Sequence, residues 1–269
     1  MRRLLLPLLP LVLVACSSGT PTTAPSESNQ PKGDLAVLAE RIDQRRAELK
    51  TTRFHTVGFA SDGDATEVRN TVDGSVRQES SGLTGTMTMD VTTGAQPAKK
   101  IDLVLVADGV YVHVDGAPMP EGKKWGYYSR DRSGDLSALL RGFGPGATVG
   151  AELDYVQPRA ALILDRVDEP VGGTPATRYD LVVDPQKMAK VIQDPDIQLQ
   201  HTQLAEYGVK IAASVWVDNT GAPLKAEYTF TLNDKVVKQS SSTFEDWGKP
   251  IDVPVPAEAE TIPAEQLPQ

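Results

Sequence analysis

The chain has one cysteine, Cys16, in 269 residues. That count excludes a disulfide framework, a Cys-x-x-Cys redox pair and a thiolate zinc site. Histidine is nearly as scarce, at 3. His55, His113 and His201 lie far apart, and none falls in a His-Glu-x-x-His spacing. Each reads as a structural residue, His55 and His113 on strands and His201 in a loop. Positive charge is in deficit, with 27 Lys and Arg against 36 Asp and Glu and a net charge of −9. Such a surface does not neutralise phosphates, which argues against nucleic acid as a partner. It also lacks the polybasic patch that would bind anionic headgroups. Aromatic residues make up 6% of the chain, too few to suggest a sugar cleft lined with stacking rings.

Catalytic motifs are absent too. There is no Gly-x-Ser-x-Gly, and Gly172-Gly173-Thr174-Pro175 lacks the strand–turn–helix context of a nucleophile elbow. The glycines from Gly142 to Gly146 are not followed by Gly-Lys-Ser/Thr, so they read as a connector between helices rather than a phosphate loop. Asp62-Gly63-Asp64 lacks the spaced third acid and the closing Glu of a calcium loop and reads as a hairpin turn. Carboxylates are plentiful, but glycosidase chemistry needs a pair at a set separation, which a sequence does not reveal. The chain is expected not to be an enzyme, and no metal or cofactor is expected.

What is present begins at the start of the chain. Arg2 and Arg3 precede an apolar run from Leu4 to Val14, and Leu13-Val14-Ala15-Cys16 follows. A short basic start, a short apolar core and small residues at the cut describe a secretory signal peptide, residues 1–15. The run is well short of the roughly 20 apolar residues that span a bilayer. Leu-Val-Ala-Cys resembles the lipobox of bacterial lipoproteins. That resemblance implies a diacylglyceryl group on the Cys16 thiol and cleavage before it, leaving no free thiol. Two acyl chains suffice for stable anchoring. The expected location is the cell membrane, lipid-anchored on its extracytoplasmic side. Ser17 to Gly33 is rich in Ser, Thr and Pro and reads as a flexible tether.

Residues 34–256 read as a single α+β domain, and 257–269 as a C-terminal tail. Asp34 is placed as N-cap of a helix over 35–50, with Leu35, Leu38, Ile42 and Leu49 on one stripe. From Phe54 the period becomes two. Strands are expected over 54–60, over 66–78 with a break at Asp73-Gly74, and over 83–91, 100–107, 110–114 and 125–128. The third alternates cleanly, with Leu83, Gly85, Met87, Met89 and Val91 on one face. Short helices are expected around Leu136–Phe143, capped by Ser133, and over 157–167 with Pro158 in the first turn. Thr177–Val183 reads as a strand and 185–192 as a helix broken by Pro195. Segments 209–217, 224–232 and 235–244 read as an antiparallel meander. The tail is expected to lack periodicity. The sum is a large antiparallel sheet with helices on its apolar face.

Three local motifs add a resemblance. Phe244-Glu245-Asp246-Trp247-Gly248-Lys249-Pro250 runs on into Ile251-Asp252-Val253-Pro254. Val215-Trp216-Val217-Asp218 leads into Gly221-Ala222-Pro223-Leu224-Lys225. Ala107-Asp108-Gly109-Val110-Tyr111-Val112 is a hairpin. With the order of elements, these are similar to the LppX/LprA/LprF/LprG-type lipoproteins of actinobacteria, which share the half-barrel of the carriers LolA and LolB. The resemblance covers residues 35–256, with 118–175 matching less well. It implies a large curved antiparallel sheet, a half-barrel, whose concave apolar face is covered by helices around a cavity for acyl chains of a lipid or glycolipid.

On that implied fold, Leu83, Met87, Met89, Val91, Leu103, Leu105, Trp216, Tyr228 and Phe230 would line one wall. Leu139, Leu140, Phe143, Leu162 and Ile163 would line the other. Met87 and Met89 would give a deformable surface, and buried polar groups would be few because unpaired ones are costly. The same residues would equally fill an ordinary core. The expected function is therefore a lipid carrier held to the membrane through Cys16, with an envelope transporter as a possible partner. The alternative is an envelope protein-binding module with a filled core and no lipid.

Overall fold

The computed structural model describes residues 32–61, 66–80, 82–129 and 148–266. Helix α1 (Lys32–Leu49) leads into β1 (Thr51–Ser61), β2 (Glu67–Glu79), β3 (Gly82–Thr93), β4 (Lys99–Val106), β5 (Gly109–Val114) and β6 (Trp125–Ser129). A 3-10 turn at Ala151–Tyr155 precedes β7 (Ala161–Asp168) and β8 (Thr177–Val183). Helices α2 (Pro185–Val191) and α3 (Pro195–Glu206) follow. The last strands are β9 (Lys210–Val217), β10 (Pro223–Leu232), β11 (Lys235–Glu245) and β12 (Thr261–Pro263).

The strands form one 12-stranded sheet in the order β12-β6-β5-β4-β3-β2-β1-β11-β10-β9-β8-β7. Neighbours are antiparallel except β12 and β6, which are parallel. The sheet is open, with β12 and β7 as its edges. β1 to β6 step outward one way, β7 to β11 step back from the other edge, and β11 zips onto β1. This is the α+β architecture expected from the alternation.

One face of the sheet carries the core. Registers place Val72 opposite Met89, Met87 opposite Leu103 and Met89 opposite Ile101. Across the sheet, Val215 pairs with Ala226 and Ile211 with Phe230. These side chains form one buried cluster with Leu35, Leu38 and Ile42 of α1, Leu153 and Tyr155 of the 3-10 turn, and Met188 of α2. Each fully buried aliphatic contributes about 1.5–3 kcal/mol relative to exposure. Trp216 lies on the other face, with the Lys225 Nζ 4.5 Å from its ring centroid.

The structure corrects several expectations. Asp73-Gly74 is not a turn, because β2 runs unbroken through it. Gly74 is there because a Cβ would lie 2.8 Å from the Phe54 ring and 2.7 Å from the Thr86 carbonyl. A glycine inside a strand marks such a close approach as readily as it marks a turn. The helix over 157–167 is strand β7. Ala161 is buried, Leu162 is 41% exposed and Ile163 packs partly against the core. A short apolar run fits helix and strand alike, and here β8 supplies the ladder that decides it.

Pro195 does not end helical structure but opens α3, at its first turn behind the N-cap Asp194, whose carboxylate accepts from the amides of Asp196 and Ile197. His201 is thereby on a helix and buried, not in a loop. Asp34 lies within the first turn of α1 rather than capping it, a position where its charge suits the helix dipole. Residues 257–269 are not a plain tail, since Thr261, Ile262 and Pro263 pair with Trp125, Gly126 and Tyr127. Cys16, the tether as far as residue 31, Asp62–Asp64 and the stretch holding Leu136, Leu139, Leu140, Phe143 and Gly142–Gly146 lie outside the described residues, while Lys32 and Gly33, read with the tether, begin α1.

Candidate functional site

A cleft of about 810 Å³ opens between α1, the 3-10 turn, the α2–α3 pair and strands β1, β10 and β11. Its apolar wall comes from the helices and the turn. Ala39 and Ile42 project from α1, Leu153 and Val156 from the turn region, and Met188, Ile192 and Ile197 from α2, its C-terminal end and α3. The sheet contributes Ala60, Tyr228 and Lys238.

The sheet-side end of the cleft is polar and partly aromatic. The Tyr155 ring stands 5.1 Å from Tyr228, 5.9 Å from Phe230 and 6.1 Å from the imidazole of His201. The Lys238 Nζ lies over Tyr228 and Phe230, 5.6 and 5.4 Å from their centroids. Register explains this gathering, because Lys238 pairs with Phe230 on one side and Ala60 on the other. His201 Nδ1 donates to the Ile197 carbonyl at 2.9 Å. That bond fixes the tautomer and leaves Nε2 as an acceptor. His201 is 3% exposed, and its Nε2 has no hydrogen-bond partner among the described residues. Burial, helped by the nearby Lys238 charge, lowers its pKa and keeps the ring neutral.

A row of polar residues continues beneath the cleft. Tyr228, Ser240, Gly58 and Asn70 stand side by side across β10, β11, β1 and β2. The Ser240 hydroxyl bonds Glu152 Oε1 at 2.5 Å, and the next row is closed by a 2.6 Å bond between Thr56 and Ser242. Glu152 is 1% exposed, and its Oε2 is unpartnered among the described residues, as are both side-chain polar atoms of Asn70. Burial raises the pKa of Glu152, and the Ser240 bond works against it. Burial lowers the pKa of Lys238, and the Glu152 charge works against that. Both groups are thus pushed toward their neutral forms. The phenols of Tyr155 and Tyr228 are likewise held neutral by burial.

At the mouth stand Asp43, Arg46, Asp154 and Asp194. Crowding by protein atoms pushes the Asp154 carboxyl up to about 6, with Arg46 opposing. Yet the residue is exposed to solvent, and water there weakens the shift relative to that of the enclosed Glu152.

Of the residues named from the sequence, Tyr228 lines the cleft. Met87, Met89, Leu103, Leu105 and Phe230 are packed inside the core, with Leu83, Val91 and Ile163 against it. Trp216 faces the opposite side of the sheet, and Leu162 is largely exposed. Glu152, Tyr155, His201 and Lys238 were not legible as a group. The one signal was on β11, where Lys238, Ser240 and Ser242 alternate on a face that is apolar on β10.

A separate cluster sits on β4, β5 and the turn just after it, where one oxygen each from Asp102 and Asp115 and one nitrogen of His113 lie within 4.8 Å of one another. His113 Nδ1 donates to the Lys124 carbonyl at 2.8 Å, and Nε2 is 3.1 Å from Asp115. A His–Asp pair accounts for that geometry.

No protein-family model matches the chain, and no curated protein does. Among solved structures it is similar to LprF from Mycobacterium bovis, at 13% identity over 85% of this chain and 100% of that one, with a TM-score of 0.47. It is also similar to the lipoprotein LppX from Mycobacterium tuberculosis, at 12% identity over 82% of this chain and 99% of that one, with a TM-score of 0.45. The fold class itself rests on the strand order and registers above.

Proposed function

We propose that this chain is a membrane-anchored lipoprotein that takes acyl chains of a lipid into the cleft, for carriage or transfer across the cell envelope, without covalent chemistry. The observation that carries the reading is the cleft of about 810 Å³, walled by Ile42, Leu153, Val156, Met188, Ile192 and Ile197 on the apolar face of an open sheet. Clefts of roughly 300–1,000 Å³ hold one small ligand with most of its surface buried. Transfer of acyl chain from water into such a wall is favoured by about 25 cal/mol per Å². No helix among the described residues is long and apolar enough to cross a membrane. Attachment would come from the acylated Cys16, and an envelope transporter would be the partner that loads or unloads the carrier.

The test is native mass spectrometry of the full chain purified from its own membranes. A co-purifying lipid, displaced when Ile197 is replaced by tryptophan, is the expected result. No bound lipid and no uptake of added lipid would overturn it. A second reading has one observation in its favour. Met87, Met89, Leu103 and Leu105 fill the core instead of lining a cavity, as a protein-binding module would have it. A stoichiometric protein partner recovered without lipid would support that reading.

A further inference from the structure

We propose that the sheet-side end of the cleft is a binding site for the hydroxyl head of a neutral single-chain amphiphile, with His201 Nε2 accepting a hydrogen bond from it and Lys238 Nζ donating one to its oxygen. This rests on the lipid-binding reading and adds the class of ligand and its orientation, head toward the sheet.

His201 is the first argument. The residue lines the cleft, is 3% exposed, and holds a buried, unpartnered Nε2 acceptor whose identity is fixed by the Nδ1 bond to Ile197. A buried acceptor without a donor is costly. A ligand that supplies a donor removes that cost, and one that supplies only acceptors does not.

Lys238 is the second. Its Nζ stands over Tyr228 and Phe230 in the same cleft, and no hydrogen bond or ion pair to a protein acceptor engages it among the described residues. Tyr155 stands near both groups, its ring 6.1 Å from the His201 ring and 5.1 Å from the Tyr228 ring that Lys238 overlies. A hydroxyl is the smallest group that satisfies both, because it carries one donor and two acceptor lone pairs. A carboxylate has no hydrogen for Nε2. It would also have to pass Asp43, Asp154 and Asp194 at the mouth, where Arg46 is the cation beside them, while Lys238, the other lining cation, lies at the sheet-side end.

Size is the third. A cleft of about 810 Å³ lies inside the range that encloses a single small ligand. One acyl chain with a short head fits that scale.

The experiment uses the full chain and three probes with the same acyl chain: 1-monolauroylglycerol, methyl laurate and laurate. Affinities are read by displacement of a fluorescent apolar probe. The monoglyceride is expected to bind roughly tenfold tighter than either of the others, the scale of one satisfied buried acceptor. His201→Phe keeps a ring against Tyr155, and Lys238→Met keeps the stem over Tyr228. Each should remove the preference while leaving methyl laurate affinity within about twofold. Equal binding of monoglyceride and ester by the wild type would overturn the proposal, as would a preference unchanged in both variants. Tightest binding of laurate would mean the site reads charge and would also overturn it. Failure of all three probes to bind would instead sink the lipid-binding reading itself. Should His201→Phe not fold, Lys238→Met alone decides.

Discussion

The Ser240 hydroxyl holds Oε1 of Glu152 at 2.5 Å, tying β11 to the 3-10 turn inside the molecule. Burial keeps the folded-state pKa of Glu152 above its ordinary value of 4.5. The native state then retains a proton over a window in which the unfolded chain has lost it. The stability this group contributes is complete below the ordinary value and is lost as pH rises through the folded one. Glu152→Gln, which does not ionise, is expected to be insensitive over that window. The urea midpoints of the two proteins should diverge progressively as pH rises above that ordinary value, with the variant the more stable at the upper end. A constant difference across the range would contradict the assignment. Lys238 acts with the opposite sign and at higher pH, since burial holds its pKa below 10.5 and its cost fades as pH approaches that value.

Gly74 carries a packing prediction. An added Cβ would meet the Phe54 ring at 2.8 Å and the Thr86 carbonyl at 2.7 Å. Gly74→Ala should therefore destabilise the sheet by roughly 1–3 kcal/mol, the usual range for overpacking. Pairing it with Phe54→Leu should recover part of the loss from the ring and none from the carbonyl. Denaturant unfolding of the single and double variants checks this, and a neutral single variant would show that β1 and β2 separate at little cost.

Met87 and Ile197 separate core from cleft. Met87 is a packed core residue and Ile197 a partly buried one on the cleft wall. Met87→Ala should cost about 2–5 kcal/mol and lower lipid uptake only in step with unfolding. Ile197→Lys should cut uptake several-fold at a smaller loss of stability, because its ammonium can reach solvent. Parallel losses of fold and uptake in both variants would place the ligand elsewhere.

The sheet was legible because strands with one buried face alternate. β3 shows Leu83, Met87 and Met89 on one side, and Thr177–Val183 was located to the residue. Where a local pattern fits two states, tertiary partners decided. Ala161–Ile163 became a strand because β8 lies beside it, and Gly74 stayed in a strand because Phe54 needs the space. The site was hidden for a different reason. Glu152, His201 and Lys238 come from a 3-10 turn, a helix and a strand far apart in sequence, and each alone reads as a surface residue. Only the fold brings Lys238 beside Phe230 and sets both His201 and Tyr228 near Tyr155.

The last strand makes a prediction about solubility. β12 covers β6 through the parallel pairing of Thr261 with Trp125, and Ile262 is buried there. The joint is reinforced by the Lys123 ammonium on the Thr261 carbonyl at 2.9 Å and by a Lys124–Glu260 pair at 2.6 Å. The ion pair is exposed and is worth at most about 1 kcal/mol, so the strand pairing and Ile262 carry the joint. Ending the chain after Pro256 would strip β6 to an edge that bears Trp125 and Tyr127, with open amides and carbonyls ready to pair with another copy. The truncated protein is expected to melt lower than the full chain and to self-associate with rising concentration. Ile262→Asp should do the same more mildly, by driving β12 off the edge without removing it. Light scattering and thermal melts of the three proteins measure both effects, and a truncated chain that matches the full one in melting and mass would show that β12 rests on β6 without protecting it.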